Sequence, residues 1–126
     1  MFERNRALGK IGEDIAARFL SRKRYRIIAR NVKLFVGEID LIAKNGPFLV
    51  FVEVKTRKNL RFGLPYLAVT EKKAKKLIQC AMCYLKMKCL PNVPWRIDVI
   101  SIEMDEFDGR LKKVEHFEDA ITEERN

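Results

Sequence analysis

Alternation of apolar and polar positions is sharpest over residues 37–57, GEIDLIAKNGPFLVFVEVKTR, where two β-branched runs flank an Asn45-Gly46-Pro47 reversal signal. Read as antiparallel strands, the second run puts Phe48, Val50, Val52 and Val54 on one face and Leu49, Phe51, Glu53 and Lys55 on the other. In the first run Ile39, Leu41 and Ala43 share a face opposite Glu38 and Asp40. Two registers are open. Reversal between Gly46 and Pro47 sets Asp40 across from Glu53; reversal centred on Asn45-Gly46 sets Asp40 across from Phe51 and Glu53 across from Glu38. Both keep Asp40, Glu53 and Lys55 on one face, and a slip of one residue separates them.

Around this hairpin the pattern changes period. Leu8, Gly12, Ile15 and Phe19 recur at helical spacing, flanked by Ile11, Ala16 and Leu20, and predict a helix over 6–23. Gly9 and Gly12 are poor helix residues and predict a close approach by another backbone. Glu13 lies at the edge of the apolar stripe. Tyr25 to Val32 predicts a first strand. Thr70 is a good N-cap for a second helix over Glu71 to Lys88, with Ala74, Leu77, Ile78, Ala81, Met82 and Leu85 as its apolar face. Trp95 to Ile102 alternates as a strand, with Trp95, Ile97, Val99 and Ser101 on one face and Asp98 opposite, beside Arg96 as a structural pair. Asp108-Gly109 marks a turn before a strand over Arg110 to Phe117, and residues 118–126 read as a short acidic helix or a frayed tail. Lys58 to Pro65 reads as a mobile loop beside the hairpin, in which Phe62 and Tyr66 either stack on bases or pack under the loop. This order of elements says only α/β or α+β.

The 126 residues suffice for one domain with one modest core, and no apolar run approaches the ~20 residues that span a bilayer. The opening MFERNRALGK has no apolar signal-peptide core, so the expectation is a cytoplasmic protein. Cys80, Cys83 and Cys89 are an odd number, which suits a reducing compartment, and Cys80 and Cys83 fit packing on a helix better than a metal or redox motif. His116 is the only histidine, which argues against most catalytic triads.

Charge is uneven. Residues 1–63 hold 15 Lys and Arg against 6 Asp and Glu, whereas the stretch from Ile97 onward holds 4 against 10. A basic body points to a polyanion, nucleic acid first. Arg22, Lys23, Arg24, Arg26 and Arg30 cluster on the first strand's approach and read either as phosphate contacts or as charges guarding an edge. Arg57, Lys58 and Arg61 follow the hairpin directly and are placed to hold a nucleic-acid backbone. Lys72 and Lys73 oppose the second helix's dipole, a cost that phosphate or solvent offsets.

Two carboxylates and an ammonium on one strand face form either a salt bridge or a cation site with a charged helper, and hard cations such as Mg²⁺ take oxygen ligands. The spacing, Asp40, twelve intervening residues, then Glu53-Val54-Lys55, matches the PD-(D/E)xK nuclease signature, with Ile39-Asp40 in place of Pro-Asp.

Longer words carry a resemblance. GKIGEDIAARFL (Gly9 to Leu20), GEIDLIAK (Gly37 to Lys44), FVEVKTR (Phe51 to Arg57), Phe62-Gly63 and WRIDVISI (Trp95 to Ile102) fall in order across roughly residues 8–120. On these the chain resembles the YraN-like family of small bacterial proteins, which are similar to archaeal Holliday-junction resolvases and other restriction-endonuclease-like nucleases. The resemblance implies an α/β fold: a restriction-endonuclease-like three-layer core, with a mixed sheet of four or five strands flanked by helices. It implies hydrolysis of DNA phosphodiesters, with branched or structured DNA as substrate. Asp40 and Glu53 would hold one or two Mg²⁺ or Mn²⁺ ions with the Val54 carbonyl, Glu13 would complete the site, and Lys55 would orient water or neutralise charge. Related resolvases act as homodimers, though nothing in this sequence marks a dimer face. Two other classes stay open: a nucleic-acid-binding module without turnover, and an interaction protein whose basic body meets an acidic partner.

Overall fold

The computed structural model describes residues 2–58 and 69–122, with side chains from residue 7 onward; the positions assigned above to Arg61, Phe62, Gly63, Pro65 and Tyr66 lie outside the described residues. In chain order the elements are α1 (Phe2–Arg22), β1 (Arg26–Leu34), β2 (Gly37–Asn45), β3 (Phe48–Arg57), α2 (Glu71–Met87), β4 (Trp95–Met104) and β5 (Leu111–Ile121). The strands form one sheet in the order β1-β2-β3-β4-β5. β3 and β4 pair in parallel, and the remaining neighbours are antiparallel. Parallel neighbours need a long crossover, which here contains α2. The fold is α/β, a mixed five-stranded open sheet with a helix on each face. No helix among the described residues is long and apolar enough to cross a membrane.

Alternation on β3 decides what each face buries. Val50 and Val52 pack with Ala16 and Leu20 of α1, together with Leu41, Ala43, Ile100 and Ile102. Leu49 and Phe51 point the other way, onto Leu77, Cys80, Ala81 and Tyr84 of α2. Phe51 meets Tyr84 and Trp95 edge to face, with ring centroids 5.7 and 6.0 Å apart, a geometry that aromatic quadrupoles favour. The buried face of α2 takes Cys80 and Tyr84 where the periodicity expected Met82, which stands 53% exposed. Thr70 caps α2 as expected, its side chain accepting from Lys73 N at 3.2 Å.

α1 lies against β3 at Gly12. A Cβ there would collide with the Thr56 hydroxyl, so only glycine lets the helix approach this closely. Gly9 faces open space and makes no such contact.

Two local expectations are corrected. Ile39 sits in the α2-side core with Ile42, not with Leu41 and Ala43. The β2–β3 ladder ends at Leu41↔Val52, and beyond it β2 turns out of strict alternation. Residues 118–121 belong to β5, not to a helix or a frayed tail, because register shifts carry the strand back to pair Ile121 with Ile97.

Candidate functional site

The hairpin adopts the register that reverses between Gly46 and Pro47, pairing Asn45 with Phe48 and running to Leu41↔Val52. One step further the register sets Asp40 opposite Glu53, and there the ladder stops. The Val54 N–H that would continue it donates instead to Asp40 Oδ2 at 2.8 Å. A strand residue directs its N–H and C=O toward the same neighbour, so the Val54 carbonyl also faces β2. The two strands therefore part around a carboxylate. Glu53 beside it is 5% exposed.

Lysines complete the group. Lys73 Nζ lies 2.8 Å and Lys55 Nζ 3.6 Å from Glu53 Oε2. Burial, then the hydrogen bond and charge of Glu53, push Asp40 up to about 8. Burial alone would raise Glu53 too, but the hydrogen bond from Asp40 and the Lys73 ammonium outweigh it and hold Glu53 below the ordinary glutamate range. The pair thus keeps one proton, on Asp40, through neutral pH, as like charges at close range require. Burial and the neighbouring Lys73 lower Lys55. Burial opposes Lys73 as well, but its bonds to Glu53 and Lys55 leave it raised and firmly cationic.

From sequence Lys73 was read beside Lys72 as a cation for phosphate or solvent; the fold brings it against Glu53. The signal was present: Lys73, Leu77, Cys80 and Tyr84 fall on one stripe of α2, so Lys73 is the stripe's first residue and faces the sheet.

Glu13 is placed less closely. Its charge helps raise Asp40, and its Oε1 lies 3.9 Å from the Arg30 guanidinium. Arg30 is bonded to Asp14 as well, so its guanidinium faces the acids of α1. Among the described residues, no three His, Cys, Asp or Glu side chains converge on one point as metal ligands. The fold thus joins Asp40, Glu53, Lys55 and Lys73, and leaves Glu13 at the margin.

The donor chemistry fits a hard divalent cation. Lys73 balances Glu53 while burial and Glu53 keep a proton on Asp40, and Mg²⁺ or Mn²⁺ would take the place of that proton through oxygen ligands. Asp40 and Glu53 would hold the ion, with the Val54 carbonyl directed to the same gap.

The predicted phosphate contacts separate. Arg57 and the exposed Lys58 end β3 on the site's side, and Lys72 is exposed at the start of α2. Arg26 pairs with Lys44 near the hairpin turn, about 13 Å along β2 from Asp40. Arg22, Lys23 and Arg24 precede it at that far end. Lys23 donates to His116 Nδ1 at 2.7 Å. Arg22, Arg24 and Arg26 make no ion pair among the described residues.

A second acid centre lies at this far end. Asp98, fully buried, pairs with Arg96 Nε at 3.1 Å, as the sequence suggested. It also takes His116 Nε2 at 2.8 Å and the Asp119 N–H at 3.0 Å. An ammonium only donates, so Lys23 makes His116 Nδ1 the acceptor and leaves the proton on Nε2, facing Asp98. Arg96 Nη2 reaches the Tyr25 hydroxyl at 2.6 Å, and that hydroxyl donates to Glu118 at 3.0 Å. Burial would raise Asp98, but His116, the Asp119 amide and Arg96 hold it below the ordinary range.

The model of uncharacterised protein family UPF0102 matches residues 12–102. A UPF0102 protein of Geotalea daltonii is 44% identical over 117 residues, covering 93% of this chain and 91% of the relative. A UPF0102 protein of Symbiobacterium thermophilum is 49% identical over 108 residues, covering 86% and 91%. One of Geobacter sulfurreducens is 44% identical over 117 residues, covering 93% and 90%.

Proposed function

The chain belongs to uncharacterised protein family UPF0102, the YraN-like family that its sequence words resemble, and from that premise we propose that it is a metal-dependent DNA endonuclease. Its core is read as restriction-endonuclease-like, of the PD-(D/E)xK kind, and its substrate as branched or structured DNA. The observation that carries this reading is the broken β2–β3 ladder, where Asp40 takes the Val54 amide and shares a proton with Glu53 beside Lys55. A ladder interrupted by a carboxylate, where local rules would complete it, supports reading this point as a working site.

When bound, Mg²⁺ or Mn²⁺ supplies Lewis acidity at the phosphoryl group and neutralises its charge. Asp40 and Glu53 would hold the ion through their carboxylate oxygens, in place of the proton that Asp40 keeps and would release to solvent. Lys73 keeps its charge, fixes Glu53 and attracts the phosphate. Lys55, beside Glu53, orients the attacking water or neutralises the charge that develops on the phosphoryl group. Glu13, held by Arg30, adds negative charge at the margin of the pair. Lys58 and Lys72 are exposed near this end and meet the flanking backbone. Arg22, Arg24 and Arg26 reach only a longer or folded-back DNA arm.

The test is incubation with four-way junction, flap, single-stranded and duplex DNA in Mn²⁺, Mg²⁺ or EDTA, alongside the Asp40→Asn, Glu53→Gln double variant. Cuts that need metal and vanish in the variant are expected. Intact DNA throughout, or equal cutting by both proteins, overturns the proposal.

A second reading, a nucleic-acid-binding module without turnover, has its own observation: Lys73 already occupies Glu53 Oε2 at 2.8 Å, so the pair is neutralised internally. It predicts salt-sensitive binding that Asp40→Asn leaves unchanged.

A further inference from the structure

Phe35 and Phe107 stand almost wholly in solvent, at 101% and 90% exposure. Both sit at hairpin tips, and the topology puts both tips at the end of the sheet that carries Asp40 and Glu53. The β1–β2 turn comes just before Asp40, and the β4–β5 turn follows Met104, beyond the level of Arg57↔Glu103.

Their surroundings differ. Phe107 lies between Glu106 and Asp108, in a turn where the Asp105 carboxylate accepts from the Phe107 and Asp108 amides at 2.8 and 3.0 Å. That tip is anionic and repels phosphate. The other tip is closed by Leu34↔Gly37, leaving only Phe35 and Val36 in the turn. Val36 packs into the α2-side core, which leaves Phe35 to stand out. Gly37 is seated on α2: a Cβ there would lie 3.0 Å from Cys80 Sγ and 3.3 Å from Lys76 Cε. The ring is therefore carried on a tip braced against the core, with two exposed cations, Lys33 and Lys76, and one exposed acid, Glu38 opposite Lys33, close by.

We propose that Phe35 stacks on an unpaired base, so that DNA with an opened or single-stranded segment beside the cleavage point is the preferred substrate; this rests on the endonuclease reading. Every base offers a π-face, so an exposed ring with cations beside it grips single strands without reading sequence. Phe35 lies five positions before Asp40, at most about 17 Å of strand, or about half a turn of duplex. A base stacked on Phe35 thus belongs to the DNA whose backbone reaches the carboxylates. The turn also explains why the ring faces water: its neighbour Val36 fills the core position.

The test titrates the full chain in EDTA with flap DNA carrying 2-aminopurine at the branch, and with a matched duplex. The wild type is expected to quench the fluorophore and to prefer the flap. Phe35→Ala should lose the quench and about tenfold of that preference, Phe35→Trp should restore both, and Phe107→Ala should match the wild type. Unchanged melting of Phe35→Ala confirms that the fold is intact, as a fully exposed ring requires. Wild-type quenching and preference in Phe35→Ala overturn the inference. So does a wild-type dimer that Phe35→Ala converts to a monomer with its DNA preference intact. If the wild type cuts DNA while Phe35→Ala discriminates normally, only this inference fails. If quenching depends on Phe35 but no DNA is cut, the stacking role stands and the endonuclease reading fails.

Discussion

Asp98 on β4 and Asp40 on β2 flank the same central strand, yet the fold treats them oppositely. Asp98 is wholly buried and receives Arg96, His116 and a backbone amide, which together hold it ionised. Asp40 is less deeply buried and receives one amide, and a second carboxylate lies against it, so it keeps its proton. A buried charge is tolerated when its partners outnumber its losses. Asp98 meets that condition from within the chain, which marks a structural role. Asp40 and Glu53 meet it only in part: Lys73 and Lys55 reach Glu53, while Asp40 stays protonated. That difference separates a lock from a site.

Removing Asp98 should have the largest effect on stability. Asp98→Asn strands Arg96 and His116 in the interior, so denaturant unfolding should show a loss of about 3–5 kcal/mol. A loss under ~1 kcal/mol would erase the contrast between the two centres.

Asp40→Asn should act in the opposite direction. Between the ordinary aspartate range and about pH 8, folded Asp40 keeps a proton that the unfolded chain has released. The folded state binds more protons, so in EDTA stability from this group falls as pH rises through that window. Melting curves should show that Asp40→Asn flattens this fall and equals or exceeds the wild type near pH 8. Asp98 is depressed instead, so its contribution is present above the ordinary range and lost on acidification; Asp98→Asn should flatten that acid limb. A wild type whose stability is level between pH 5 and pH 8 would remove the proton from the Asp40–Glu53 pair.

The smallest effect concerns the basic corner beside the lock. Arg24 has φ 69°, a left-handed position after α1 where glycine is usual. Arg24→Gly should raise stability by up to about 1 kcal/mol and weaken DNA binding in low salt. Unchanged binding would make the Arg22–Arg26 corner a helix terminus and nothing more.

Much of the site was legible because its rules are local. Strand period placed Glu53 and Lys55 on one face, and the Asn-Gly-Pro turn allowed the register that sets Asp40 opposite Glu53. Thr70 set the start of α2, and Gly12 announced a tight helix contact. Arg96 and Asp98, two apart on one strand, were readable as a pair. Other features were hidden. Lys73 was read together with Lys72 as a cation opposing the helix dipole, although its stripe position pointed inward. Phe35 falls between the first strand and the hairpin as they were read, and no pattern singled it out.

By itself the sequence determined most of the elements, the buried faces of β3 and most of α2, and the set of Asp40, Glu53 and Lys55, since these follow from periodicity and turn chemistry between near neighbours. Only the tertiary structure decided where the β2–β3 ladder breaks, that Lys73 meets Glu53 across the crossover, and that His116 and Tyr25 close around Asp98. Those contacts join residues 14, 20, 18 and 73 positions apart. No local pattern encodes them, because they depend on how the helices seat against the sheet and on which buried charges then find partners.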